Sequence, residues 1–337
     1  MMSCHRRQFL QLLASSAVLA AVPLGSIART PVLTAATPMG LPQLILSRAL
    51  ADERVQAATG GTELKTWRDP DQLRTWLARA EVSLTAMPTN VAANLYNRGV
   101  PLVLLNVCVW GTLGVLGLAQ QGPLTRLQDL AGRHVGIPWR GDMPDLVFRY
   151  LLQRQGLEPG RDLTISYQAS PFETVQMFVA QRLDAAVLPE PARTATRLQA
   201  RQFGAETREL DLQQAWAGGG DESPGLPQAG VVCRRELLEQ QPQQVAAVQQ
   251  AVVDAVNWIV QNPEAAAELG AAQSALSRPV FAGAIPRTRL AMVPAAQARS
   301  QLESFLGALS ALSPAFIGGK LPDNGFYLPA ADGRRAG

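Results

Sequence analysis

The sequence predicts an α/β chain in two lobes, each lobe a mainly parallel sheet flanked by helices, with a cleft between them. Three observations carry this. Strand-like apolar runs alternate with amphipathic helical runs, the pattern of parallel sheet with right-handed crossovers. Four strand-to-helix junctions share one proline-bearing layout. Two short segments, near residues 110–112 and 228–230, divide the chain as crossings between lobes.

The length of 337 residues suits two lobes of ordinary domain size. With 47% hydrophobic and 17% charged residues the chain is a folded globular protein. Its net charge is +3, and its only lysines are Lys65 and Lys320, so the basic residues are almost all arginines. They are scattered and not interleaved with aromatics, which speaks against nucleic-acid binding.

Elements are read in chain order. Residues 1–28 form an export signal: Arg6 and Arg7, an apolar segment over residues 12–24, and small residues at Ser26 and Ala28. The order Arg6-Arg7-Gln8-Phe9-Leu10 resembles a twin-arginine signal, with a plain secretory signal as the alternative. The mature chain is expected to start near Arg29 and to be soluble in the periplasm. Residues 31–37 then read as a strand, and Pro38-Met39-Gly40-Leu41-Pro42 opens a helix. Residues 82–86 lead through Met87-Pro88-Thr89-Asn90 into a second helix. Residues 101–111 are a continuous apolar strand ending in Gly111. Residues 134–137 lead through Pro138-Trp139-Arg140-Gly141-Asp142-Met143-Pro144 into another helix, and residues 184–188 through Pro189-Glu190-Pro191 into a fourth. A glycine- and proline-rich loop, residues 217–230, precedes a return strand at 229–233. Beyond Arg234 the chain is nearly all helix, with Val245, Val248, Val252, Val256 and Ile259 on one face. Lobe 1 is therefore residues 29–110 with 230–337, and lobe 2 is residues 111–229.

Ligands of open α/β sheets bind beyond the carboxyl ends of the strands. All four junctions lie there, so they are expected to face each other across the cleft of a clamp for a small solute. Trp139, Arg140, Gly141, Asp142 and Met143 combine an aromatic face, a guanidinium for an anion and a glycine for close approach. A surface ion pair between Arg140 and Asp142 is the alternative. Thr89 and Asn90 are ordinary helix caps or ligand contacts; Met87 precedes them. Thr37, Met39, Gly40 and Leu41 carry the same two readings, with the methionine and leucine as an adaptable apolar wall. Trp110, Gly111 and Thr112 sit at the first crossing, with Trp110 expected in the cleft wall. Glu190 either starts a helix at the positive end of its dipole, the stronger reading, or binds a ligand donor. Cys108 and Cys233 would lie opposite one another if their strands run as antiparallel neighbours. A disulfide and two buried thiols both remain open. No metal-ligand spacing, phosphate-cradling loop or nucleophile turn appears, and His134 is the single histidine after the signal, inside a strand. No cofactor, no metal and no enzymatic activity are expected.

Residues 129–138 (DLAGRHVGIP), 170–192 (SPFETVQMFVAQRLDAAVLPEPA) and 229–237 (AGVVCRREL) resemble the periplasmic substrate-binding proteins of ABC importers, in the nitrate/sulfonate/taurine and thiamine-precursor superfamily. The likeness covers nearly the whole mature chain. It implies a type II periplasmic-binding fold and a monomer that captures a small anionic or heterocyclic molecule. It also implies delivery to an inner-membrane ABC permease by hinge closure, and an interlobe place for Glu190. Relatives of this fold that are biosynthetic enzymes, acting on thiamine- or menaquinone-like precursors, and sensory binding modules remain as alternatives.

Overall fold

The computed structural model describes residues 32–68, 70–216 and 225–330. The expected export signal with its Arg6-Arg7 pair, and residues 217–224 of the glycine-rich loop, lie outside the described residues. Among the described residues no helix is long and apolar enough to cross a membrane.

Twelve strands are described: β1 Leu33–Pro38, β2 Thr62–Trp67, β3 Leu84–Pro88, β4 Leu102–Leu104, β5 Asn106–Val109, β6 Gly114–Leu118, β7 His134–Pro138, β8 Thr164–Gln168, β9 Ala185–Leu188, β10 Thr207–Asp211, β11 Ala229–Arg234 and β12 Leu290–Pro294. They build two sheets. The larger has seven strands in the order β12-β5-β11-β3-β1-β2, with β4 also paired to β11. The smaller has five, in the order β10-β6-β9-β7-β8. Each contains one parallel triplet, β2-β1-β3 in the first and β8-β7-β9 in the second. The remaining pairings are antiparallel. Each sheet is thus mixed, not mainly parallel.

The proline junctions follow directly from this. β1, β3, β7 and β9 belong to the triplets, and each feeds a helix: Leu41–Leu50, Thr89–Asn97, Met143–Arg154 and Ala192–Gln202. Pro42 and Pro144 occupy the first helical turn, where a missing N–H forfeits nothing. The helix Pro242–Gln261 buries Val245, Val248, Val252, Val256 and Ile259 along the stripe its sequence spacing requires. Each such side chain contributes roughly 1.5–3 kcal/mol of hydrophobic stabilisation. That face packs with Leu41, Leu44 and Ile45 over the seven-stranded sheet.

The chain passes from the large sheet to the small one through residues 110–113. A third segment joins the two crossings expected from sequence. The N–H of Trp110 donates to the Arg289 carbonyl at 2.8 Å, and that of Arg289 to the Gly111 carbonyl at 3.3 Å. The Gln228 N–H donates to the Val109 carbonyl at 3.0 Å. A second bridge is aromatic: Trp216 lies tilted against Tyr150 at 4.8 Å and meets Phe305 edge-on at 5.4 Å. Tyr150 belongs to a helix of the small sheet and Phe305 to Ala295–Leu312, which packs on the large one.

Cys108 and Cys233 are free, buried thiols, so the disulfide left open by the sequence is not formed. The register explains this. On β11, Cys233 faces Val103 of β4, whereas the partner of Val109 is Ala229. Cys233 therefore lies where β11 pairs with β4, and Cys108 lies on β5, which meets the other end of β11. Burial pushes each thiol up to about 12.

Candidate functional site

The four junctions meet in pairs. Gly40, after β1, comes against Pro191: a Cβ added to Gly40 would lie 3.1 Å from the Pro191 ring. With φ at +107° this position also disfavours any side chain. Asn90, in the first turn after β3, donates from Nδ2 to Oδ1 of Asp142 at 3.2 Å. Each contact joins a junction of the large sheet to one of the small sheet.

The junction after β7 is the most open. Trp139 and Gly141 adopt positive φ, +58° and +77°, and this turn holds Trp139 38% exposed. Arg140 is exposed, its guanidinium 5.2 Å from the Tyr167 ring centre. Asp142 caps the following helix by accepting from the Met143 N–H at 2.7 Å. It is spent on that cap and on Asn90, and forms no ion pair with Arg140. Buried Asp145 locks the turn, accepting from the Gly141 N–H at 2.8 Å and the Tyr167 hydroxyl at 3.0 Å. Burial, with the Asp145 charge beside it, pushes the Tyr167 phenol up to about 12.

The junction after β9 is closed. Glu190 is buried, and both its carboxylate oxygens are taken: Oε1 by Arg193 Nε at 3.0 Å and Oε2 by the Thr194 N–H at 3.1 Å. Burial pushes this carboxyl up, while the Arg193 guanidinium and the Thr194 contact favour its charged form. The ligand-binding reading of Glu190 gives way to the helix-start reading. Its own N–H donates to the Thr112 carbonyl at 3.0 Å, which ties the junction to the first crossing.

Other expected residues divide in the same way. Met39 is 47% exposed. Thr37 is buried, with its hydroxyl on the Pro38 carbonyl at 3.1 Å. Leu41 packs under the large sheet, and Met87 and Met143 are core. Thr89 is fully buried and donates to the Pro227 carbonyl at 2.6 Å. Trp110, expected in the cleft wall, is core instead: it is fully buried and its ring N–H donates to the Ala291 carbonyl at 2.8 Å. A flat ring with one donor is satisfied there by β12, a strand far from it in sequence. Thr112 is latched to Gln228, its N–H donating to Oε1 at 2.8 Å and its hydroxyl accepting from Nε2 at 2.7 Å.

Sequence reasoning missed Gln228, Gln213 and Tyr167. Gln228 lay in the flagged loop and has the long amide that spans two crossing segments. Gln213 covers Gly111, where any Cβ would overlap its side chain; its amide is buried with no hydrogen-bond partner. Asn90 Oδ1 is also buried and unpartnered. His134, read as a packing residue, contacts Ser166 Oγ at 2.8 Å at the start of β7, the opposite end of the strand from the Trp139 junction. The junctions therefore offer one unpaired guanidinium, an exposed indole, a thioether, and the N-termini of helices whose first N–H groups favour negative charge.

A model of the NMT1-like family matches residues 84–274, more than half of the chain. No curated protein matches the sequence. Among solved structures, an ABC transporter protein from Parabacteroides distasonis is 23% identical, with 89% of this chain and 99% of that one covered and a TM-score of 0.72. The periplasmic aliphatic sulphonate-binding protein SsuA of Escherichia coli is 16% identical over 89% and 92%, TM-score 0.69. The alkanesulfonate-binding protein SsuA of Xanthomonas axonopodis pv. citri, bound to MOPS, is 17% identical over 88% and 96%, TM-score 0.63. At such identities the likeness speaks for the fold, a two-lobed periplasmic-binding-protein clamp.

Proposed function

The chain belongs to the NMT1-like family, and from that premise we propose that it is an exported solute-binding protein that delivers a small anionic or heterocyclic molecule to an ABC permease. The observation that carries this reading is the pairwise meeting of strand-to-helix junctions from two sheets, Gly40 with Pro191 and Asn90 with Asp142. A solute held between them touches both lobes only when they are together. Its binding energy then favours the closed form by the difference in affinity between the two states. Arg140 and the helix N-termini supply charge for an anion, and Trp139 and Met39 supply a face for a flat or alkyl group. Asn90 Oδ1 supplies a buried acceptor without a partner. The hydrogen bonds among Thr112, Gln228, Glu190 and Arg289 hold the crossings about which the lobes move. Sulphonate binding by two proteins of the same fold supports an anionic head group.

The test is a thermal-shift screen of the chain from Arg29 onward, unfolded and refolded to strip carried ligand. The panel is nitrate, sulfate, alkyl- and arylsulfonates, taurine, pyrimidines, flavins and small carboxylates. A ligand at a hundredfold its Kd adds about 2.7 kcal/mol of apparent stability. One class should shift the melt, and Arg140→Ala should weaken that ligand by at least about tenfold, the loss of one charge-assisted contact. A panel without a shift, or a hit indifferent to both Trp139→Ala and Arg140→Ala, removes the cleft from the reading. Each hit is also analysed for conversion to product, which would favour an enzyme on this fold.

A further inference from the structure

A cavity of about 550 Å³ lies on the large sheet, away from the four junctions. Its size is that of a small-molecule site, roughly 300–1,000 Å³. β11 starts beside a crossing at Ala229 and runs to Arg234, and the cavity opens past that far end. Four stretches of chain build it: Val103 of β4, Arg235 and Leu238 of the helix Arg235–Gln240, the first turns of Ala295–Leu312, and residues 324–329.

The walls are fixed in place. The Leu328 N–H donates to the Leu104 carbonyl at 2.9 Å, which adds the C-terminal stretch to the sheet edge. Arg235 donates from Nη2 to the Gly325 carbonyl. The lining is largely aliphatic, with Val103, Leu238 and Leu328 among it.

Two guanidiniums stand in this lining, and they differ. Arg299 is engaged: its Nε donates to Glu303 Oε1 at 2.7 Å, and its guanidinium lies 4.9 Å from the Tyr327 ring centre. Arg235 forms no ion pair among the described residues, and the acceptor it holds is a neutral carbonyl. Asp323 is nearby, its carboxyl held below the usual range by the Tyr96 hydroxyl and, less strongly, by the Arg235 charge. Its Oδ1 already accepts from Tyr96 and from the Gly325 N–H. Tyr327, also in the lining, has a buried hydroxyl with no hydrogen-bond partner. Burial, with the Glu303 charge nearby, pushes that phenol up to about 12, so it keeps a proton to donate.

We propose that this cavity binds a small amphipathic carboxylate, a hydrocarbon body with one anionic head, as a second ligand of the protein. One guanidinium without a carboxylate suits a monoanion, by a charge-assisted hydrogen bond. The aliphatic lining suits an apolar body and gives a bare phosphate or sulfate few partners. The site is independent of whatever occupies the cleft.

Calorimetric titration of the full chain with octanoate, acetate and 1-octanol tests this. One saturable site for octanoate is expected. Acetate, which lacks the body, and 1-octanol, which lacks the charge, should each bind at least about tenfold more weakly. Arg235→Gln should weaken octanoate at least about tenfold and leave 1-octanol unchanged, a split that mere loosening of the walls would not produce. Ala296→Leu adds bulk from a half-buried lining position and should abolish binding of both. Melting curves confirm that each variant is folded, and Ala296→Leu, which removes no hydrogen bond, carries the test should Arg235→Gln not fold. Absence of saturable octanoate binding overturns the proposal, as does 1-octanol binding as tightly as octanoate. So does binding that survives both substitutions, or that is lost in Arg140→Ala while kept in Ala296→Leu. That last result would place octanoate in the cleft and leave the solute-binding reading standing.

Discussion

The junctions after β7 and after β9 begin from one layout: a buried strand, a proline-bearing turn with a charged residue in it, and a helix. They finish in opposite states. After β9, Glu190 faces inward, gives both oxygens to Arg193 and Thr194, and pins the turn to Thr112. After β7, Arg140 stays in solvent beside an exposed Trp139, and buried Asp145 satisfies the turn from below. The difference teaches that a proline junction fixes where a charge is presented, and the neighbouring elements decide whether it is consumed. An arginine three residues along the helix takes the Glu190 charge. Asp142 sits beside Arg140, yet the helix cap and Asn90 have already claimed it.

The contrast can be broken most forcefully at Glu190. Glu190→Ala leaves Arg193 buried with only the distant Glu209, and should destabilise the fold by about 3–5 kcal/mol, the usual loss on breaking a buried pair. Arg140→Ala should change stability by no more than about 0.5 kcal/mol, as a surface substitution. Urea unfolding of both variants measures the gap. Equal effects would mean that the two junctions are built alike.

The glycines sharpen the same comparison. Gly111 has φ +152° and no room for a Cβ beneath Gln213. Gly111→Ala should cost about 3 kcal/mol through overpacking and strain. Gly141 has φ +77° and open space around it, so Gly141→Ala should cost only about 1 kcal/mol of left-handed strain. Thermal melts that ranked them in reverse would contradict the crossing geometry.

Asn90→Asp tests the contact between the sheets. It sets a second carboxylate against Asp142 at a buried position, and like charges so close should cost between about 1 and 4 kcal/mol, the values for bulk water and for a protein surface. The loss should shrink in high salt, because the pair is only partly buried. A melt that ignored both the substitution and the salt would show that the two junctions do not meet in solution.

The smallest effect is pH dependence at Tyr167. Burial and the Asp145 charge raise its folded pKa to about 12, against the ordinary phenol value of 10.0. The folded state therefore holds the phenol proton longer than the unfolded state does. Its contribution is fully present below the unfolded value and is lost as pH rises through about 12. Tyr167→Phe should flatten this alkaline slope, read by urea unfolding across that window. An unchanged slope would assign it to other groups.

Much of the architecture was legible in the residues themselves. Backbone conformational limits place prolines and glycines at turns, and the 3.6-residue period marks the buried stripe from Val245 to Ile259. Local rules of this kind gave the four junctions, the crossings and the helical return. The site was legible only as a set of places. Trp139 and Arg140 emerged as an exposed pair, whereas Trp110, equally aromatic and next to a crossing, went to the core. Its ring donor found the carbonyl of Ala291, and no local pattern announces a partner so far along the chain. The choice between a disulfide and two buried thiols was open for the same reason, since only the register along β11 decides whether the thiols align. The sequence by itself determined where strands end, where helices begin and which charges stand at their meeting points, because sterics and periodicity act within a few residues. Only the tertiary structure decided which of those charges are spent, which aromatic is covered and how Arg235 and Tyr327 come to line one cavity, because burial and partner choice depend on elements brought together across the whole chain.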